Sequence, residues 1–280
     1  MKTKLFLLIA ILISSMVFIG CKNDDDEFVP NDKVQKEFQT RYPNAKDLSW
    51  ETENGYIVAK FRQGSEYSEA WFIENALWIM TNTSIKFPSL PQAVQDSYNG
   101  SYYADWTIDG IMRLERIDTK MLFVIEVDRD PYTLDLQYSA SGILINAIPH
   151  QDDEFYLPVT IPIRIKDFIS ATYPAAEIMQ YSKIGYNYVA DILEGVTPMH
   201  VNFDKDYNWL YTTWEVYYIN IPQPIQNKIT TAYPGYKVLT SIQKEDSKGT
   251  TYIMRMVNMK KEIEVTFDPE GNVINETSPQ

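Results

Sequence analysis

The chain has 280 residues, with 25 basic and 38 acidic side chains, a net charge of −13 and one cysteine. So acidic a surface repels DNA, RNA and anionic membrane faces, which removes nucleic acid from the expected partners. A single cysteine leaves no disulfide framework, and a hydrophobic share of 45% with 14% aromatics is ample for packed cores and excludes a disordered chain.

Lys2 and Lys4 precede an apolar run from Leu5 to Phe18, and Ile19-Gly20-Cys21 follows. That is the layout of a secretory signal with a small residue before the cut, and the run is short for a membrane span of about 20 residues. Residues 1–20 are therefore expected to be a signal peptide. Ile19-Gly20-Cys21 resembles the lipobox of bacterial lipoproteins, with Phe18 where leucine is usual. The resemblance implies that Cys21 is acylated, becomes the mature N-terminus and holds the protein to a membrane. Removal of residues 1–20 takes two lysines and no acid, leaving 23 basic against 38 acidic residues, or −15. Residues 21–30, with Lys22-Asn23-Asp24-Asp25-Asp26-Glu27, read as an acidic tether kept solvated by self-repulsion. The same run resembles the acidic sorting signal that sends lipoproteins of some gut Gram-negative bacteria to the cell surface. The expected location is the outer membrane or cell surface, with the periplasmic face as the alternative.

The rest of the chain repeats one pattern four times. Tyr-Pro occurs at Tyr42-Pro43, Tyr173-Pro174 and Tyr233-Pro234, and Tyr102-Tyr103 stands in its place in the second unit. Pro91, Pro162 and Pro222 lie eleven residues before the last three tyrosines, and Pro30 is offset by one. Between these marks run the stripes Val34/Phe38/Tyr42, Val94/Tyr98/Tyr102, Ile165/Ile169/Tyr173 and Ile225/Ile229/Tyr233. Steps of four put three side chains on one face of a helix. Proline is tolerated in a first helical turn, and the proline after the tyrosine stops the helix.

Alternating apolar residues follow each helix, most clearly Met121, Phe123, Ile125 and Val127, then Tyr132, Leu134, Leu136 and Tyr138. Period two marks a sheet with one buried face. Each unit then closes on an aromatic, a polar turn and a short strand: Phe72 to Trp78, Tyr138 to Leu144, Phe203 to Trp209, and Phe267 to Val273. Asp, Asn, Pro and Gly in these turns are ordinary turn chemistry.

The tyrosine marks advance by 60 (42 to 102), 71 (102 to 173) and 60 (173 to 233) residues, and the longer step holds the polar Pro149-His150-Gln151-Asp152-Asp153-Glu154. The expected fold is α+β: four tandem helix-plus-antiparallel-meander units, paired into domains 31–148 and 159–277 around a linker at 149–158. Each domain is expected to fold by itself.

The helix ending in Tyr-Pro, the strand run, the Asp-x-x-Gly-type turn and the tandem pairing resemble the PepSY-like domains of bacterial envelope proteins. Those are similar in fold to the beta-lactamase inhibitor protein, and the resemblance spans about residues 30–277. It implies binding or inhibition in the cell envelope without catalysis. No motif here matches the inhibitor's contact residues.

Chemistry is sparse. His150 and His200 are the only histidines, and neither sits at metal-ligand spacing. Cys21 is committed to lipid, and GxSxG, GxGxxG and GxxxxGK[ST] are all missing. An enzyme is not expected; a carboxylate pair assembled by folding is the residual catalytic reading. No cofactor is expected apart from calcium, for which Asp204, Asp206 and Asn208 fill positions 1, 3 and 5 of an EF-hand loop. Trp209 stands where that loop needs glycine, and the repeat reads the stretch as the hairpin turn of Asp268 to Val273. The three residues remain a candidate weak site, and PepSY-like proteins have been suspected of a calcium link.

With the closing aromatic of each third strand buried against its helix, alternation turns Tyr67, Glu69 and Trp71 to the opposite, open face. His200 and Asn202 take that face in the third unit. Aromatics among acids mark protein-binding surfaces; the alternative is that Tyr67 and Trp71 pack on a neighbouring unit. The expected function is a non-catalytic, lipid-anchored envelope protein that binds an unidentified protein through its open sheet faces, inhibition of a protease or hydrolase being one form. A calcium-responsive envelope protein is the alternative.

Overall fold

The computed structural model describes residues 28–151, 156–259 and 261–278. The expected signal peptide, Cys21 and the acidic run to Glu27 lie outside the described residues.

Four units follow one another. The first is α1 (Asp32–Arg41) with β1 (Lys46–Glu53), β2 (Tyr56–Gln63), β3 (Glu66–Phe72) and β4 (Trp78–Ser84). The second is α2 (Gln92–Asn99) with β5 (Thr107–Arg116), β6 (Leu122–Arg129), β7 (Tyr132–Ser139) and β8 (Leu144–Pro149). The third is α3 (Ile163–Thr172) with β9 (Ala176–Ile184), β10 (Asn187–Glu194), β11 (Thr197–Phe203) and β12 (Trp209–Glu215). The fourth is α4 (Gln223–Ala232) with β13 (Lys237–Asp246), β14 (Gly249–Asn258), β15 (Lys261–Phe267) and β16 (Val273–Thr277). Because β4 pairs with β5 and β12 with β13, each half is one eight-stranded antiparallel meander, β1 to β8 and β9 to β16. The α+β fold of repeated units in two similar halves is as the sequence indicates.

The helical stripes do what their spacing requires. Val34 and Phe38, Val94 and Tyr98, Ile165 and Ile169, and Ile225 and Ile229 are the buried pairs of the four helices. Each pair meets the aromatic that closes the third strand, and Phe72, Tyr138, Phe203 and Phe267 are all fully enclosed. Burying a side chain of this size stabilises the fold by about 1.5–3 kcal/mol.

The Tyr-Pro tyrosines also tie helix to sheet. The Tyr42 hydroxyl bonds the Thr81 hydroxyl, and Tyr173 donates to Thr212 Oγ1 at 2.8 Å. Each threonine accepts a second bond from an indole, Trp78 Nε1 at 2.8 Å and Trp209 Nε1 at 3.0 Å. Tyr102 departs from the stripe. Without a proline after it, α2 ends at Asn99 and Tyr102 lies in a loop, 75% exposed. Trp106, from further along that loop, fills the core instead.

The closing turns share one geometry, with a left-handed residue at Ala76, Gly142, Tyr207 and Gly271. At Gly142 and Gly271 glycine is required twice over. A Cβ would stand 2.3 Å from Ala93 O or 2.8 Å from Pro224 O, where the turn lies against the start of α2 or α4.

Both helices of a half lie on the same face of its sheet. The other face of the first sheet meets the second half in a seam of Val58, Trp71, Met80 and Leu114 against Met179 and Leu193. Lys120 N donates to Ile178 O at 2.8 Å across the seam, and Lys166 pairs with Asp118 at 2.9 Å. The stretch 149–158 starts inside β8. Its Tyr156 is buried in the seam cluster and Leu157 packs against it, so this part is core and not tether.

Candidate binding face

The open face of the first sheet carries Tyr67, Glu69 and Trp71 in alternate positions of β3, beside Lys60 of β2. Tyr67 donates to Glu69 Oε1 at 3.1 Å, and Lys60 Nζ lies 2.6 Å from Glu51 and 3.7 Å from Glu69. Burial and the neighbouring Glu51 charge hold the Glu53 carboxyl above the usual range. Tyr67, Glu69, Trp71, Lys60 and Glu53 line a groove of about 380 Å³ together with Tyr156 and Leu157.

Trp71 does not belong to an exposed patch. It is 3% exposed, packed edge-on against Tyr56 at 5.9 Å and enclosed by the seam. Tyr67, at 37%, remains at the surface. Alternation put Trp71 on the correct face; what covers that face comes from Tyr156 and from the second half, which no local pattern announces.

A polar relay runs through the seam. His150 Nδ1 meets Asp135 Oδ1 at 2.8 Å, and Tyr156 donates to Asp135 Oδ2 at 2.7 Å. Gln137 Nε2 reaches Tyr156 Oη at 3.2 Å, and Asn146 Nδ2 donates to Gln137 Oε1 at 2.9 Å and to Asp191 Oδ2 at 2.8 Å. Asp191 Oδ1 then meets His200 Nδ1 at 2.7 Å. Both aspartates are buried, at 1% and 5% exposure, where an unpaired carboxylate would be costly. Burial pushes the Tyr156 hydroxyl well up, so it remains a donor at neutral pH.

Arg116, on the same face, is 5% exposed and donates to Gln180 Oε1, Tyr156 O (3.0 Å) and Leu157 O (3.4 Å). Burial pulls its pKa down to about 10, still charged near neutrality. It pins the returning chain and the second half to β5.

Both histidines thus have partners that sequence reading missed. Asp191 and His200 stand directly opposite in a hairpin closed by Gly195-Val196, so the turn signal carried that register. Asp135 and His150 likewise meet across a hairpin, β7 to β8, where Asp135 stands opposite Ile148 and His150 N donates to Thr133 O at 2.9 Å.

The open face of the second sheet is the larger opening, a groove of about 840 Å³ against the β8 edge. Ile242 and Ile253 line it with Tyr211, and its polar lining includes Lys183, Lys244, His200, Asp191, Asn146 and Asn202. Lys244 Nζ sits over the Tyr211 ring at 4.6 Å.

Asp204, Asp206 and Asn208 form no convergent oxygen set. Asp204 Oδ1 accepts from Asp206 N (2.8 Å) and Asn208 N (2.9 Å), and its Oδ2 from Asn208 Nδ2 (2.9 Å). Arg164 takes Asn208 Oδ1, and Lys205 takes Asp206 Oδ2 at 2.7 Å. Asp268 holds Asn272 through the same bonds without a second aspartate. The constellation is a turn lock, and its carboxylate is already spent on N–H groups. Among the described residues no group of three His, Cys, Asp or Glu could hold a metal ion.

The family model described as "Putative beta-lactamase-inhibitor-like, PepSY-like" matches residues 54–146 and 186–275. The chain belongs to this PepSY-like family. A BLIP-like protein from Bacteroides fragilis is 30% identical, covering 49% of this chain and 99% of its own, with a TM-score of 0.44. A DUF2874 family protein from Bacteroides ovatus is 27% identical, covering 44% and 89%, with a TM-score of 0.40. A Bacteroides thetaiotaomicron protein described as a "putative calcium-regulated periplasmic protein" is 16% identical, covering 46% and 94%, with a TM-score of 0.21. No curated protein matches this chain.

Two measurements test the seam of this PepSY-like chain. Trp71→Ala should cost about 3–5 kcal/mol in urea unfolding, as loss of a buried indole does; a cost below about 0.5 kcal/mol would return Trp71 to the surface. For His200, burial opposes the charge, but the bond to Asp191 and its charge outweigh that and hold the pKa above the ordinary value. A raised folded-state pKa contributes stability that is complete below the unfolded value of about 6.5 and lost as pH rises through the folded value. Asp191→Asn should drop the His200 pKa below that of the parent in an NMR titration, and an unchanged value would break the pair.

Proposed function

We propose that this PepSY-like chain is a non-catalytic envelope protein that seats a protein partner on the open face of its second sheet. The observation that supports this is the groove beside His200. All four helices lie on the far side of the sheets, and the matching face of the first half is closed at its Trp71 end by Tyr156 and Leu157. Ile148, Val189, Ile242 and Ile253 with the Tyr211 ring, among Lys183, Lys244, Asp191 and His200, give the groove the mixed apolar and polar make-up of a protein interface. Tyr67 and Glu69 add a polar rim on the first sheet. Such binding inhibits an enzyme when the groove takes a segment bordering its active site, so a protease or hydrolase is the partner class proposed.

A photo-crosslinking phenylalanine derivative placed at Tyr211 in intact cells should give an adduct of defined mass, and the same group at exposed Ile163 on α3 should give none. Equal adducts from both positions, or none from Tyr211, would sink the assignment of the face. The same proposal holds the protein to the outer membrane through acyl chains on Cys21, at about 0.8 kcal/mol per buried CH₂. Cys21→Ala should move the protein to the soluble fraction, and a variant that stays with membranes would end the lipoprotein reading.

A further inference from the structure

The second and fourth units match residue by residue. Val216 N donates to Ser241 O at 2.9 Å as Ile85 N does to Ile111 O at 3.0 Å. Gln226 Nε2 reaches Ile221 O at 2.7 Å as Gln95 Nε2 reaches Leu90 O at 2.8 Å. These bonds equate Phe87 with Tyr218, Tyr98 with Ile229 and Ile111 with Ser241, the fourth unit being one residue shorter after its helix. Trp106 N donates to Tyr103 O as Tyr236 N does to Tyr233 O, which equates Trp106 with Tyr236.

In the second unit the four side chains close the space between helix and sheet. Phe87 and Tyr98 meet edge-on at 5.6 Å, and Tyr98, Trp106 and Ile111 are buried in one cluster. In the fourth unit a phenol has become an aliphatic chain, an indole a phenol, and an isoleucine a serine. The space is not refilled: a cleft of about 600 Å³ opens between α4 and β13, lined by all four replaced positions. Small-molecule sites have volumes of about 300–1,000 Å³ and combine apolar walls with a few polar groups.

Two features define what would fit. Ser241 is 4% exposed and lines the cleft with its hydroxyl where the second unit has the apolar Ile111. The remaining walls are mainly tyrosine rings and aliphatic chains, with Thr230 and Thr240 beside them; Tyr233 and Tyr236 meet edge-on at 6.1 Å, and Glu215 is the only charged side chain of the lining. Rings packed this way favour another ring at an offset or edge contact, and the equivalent space in the second unit already holds rings. We propose that the cleft beneath α4 binds a small, planar, uncharged aromatic molecule bearing a hydrogen-bonding group that meets Ser241. The site is on the helix side of the sheet, away from the groove at His200, and stands independently of the partner proposed there.

Calorimetry and ¹⁵N NMR of the mature chain with indole, p-cresol and cyclohexanol test this. Indole or p-cresol should bind saturably and shift the Ser241 and Tyr236 amides, and cyclohexanol should bind at least tenfold more weakly. Ile229→Tyr restores the ring found at Tyr98 and should weaken binding at least tenfold in a folded protein. Should that variant not fold, Ser241→Ile restores the residue found at Ile111 and is read the same way. No saturable binding, equal binding of cyclohexanol, or unchanged affinity in the filled variant would overturn the proposal.

Discussion

A helix of eight or ten residues covers one face of a four-stranded meander and leaves the other bare. Everything else in the molecule answers that limit. Joining two units edge to edge through β4 and β5, or β12 and β13, doubles the sheet but leaves both helices on the same side. An eight-stranded sheet with an uncovered apolar face is unstable in water, so part of the face has to be buried elsewhere. The first half does this with Tyr156, Leu157 and the second half, at the cost of enclosing Trp71, Arg116 and two aspartates.

Burying those polar groups dictates the seam. Asp135 receives Tyr156, His150 and the Gln151 N–H, while Asp191 receives His200 and Asn146. Satisfied networks of this kind are demanding, because losing one member leaves another buried and unpaired. The relay therefore fixes how the halves sit, and with them the shape of the groove at His200. Groove and seam are one problem: Asn146, Asp191 and His200, which belong to the relay, also line the opening.

Repetition also makes divergence visible. The closing turns use Asp204 with Asn208 and Asp268 with Asn272 in one geometry, whereas the first two units build it from Asn75 and Ser139. Tyr-Pro ties α1 and α3 to a threonine, and the second unit drops the motif and recruits Trp106 from its loop. Where such exchanges preserve volume the core closes; in the fourth unit they do not, and a cleft results.

The helices, their buried stripes and the closing aromatics were legible in the sequence, because each depends on residues within a few positions of one another; the pairing of units was legible from the spacing of the repeats. Side chains three or four apart share a helix face, and alternate residues share a sheet face, whatever the rest of the chain does. Even the face that Trp71 occupies followed from alternation. Its burial did not follow, because the covering atoms belong to Tyr156, Met179 and Leu193, far along the chain. The aspartate partners of the histidines, by contrast, are local: Asp191 sits across a short hairpin from His200, and Asp135 beside His150 across the β7–β8 hairpin. Local periodicity determines which side of an element is apolar; only tertiary packing decides what lies on it, since contact between distant segments depends on the whole path of the chain between them.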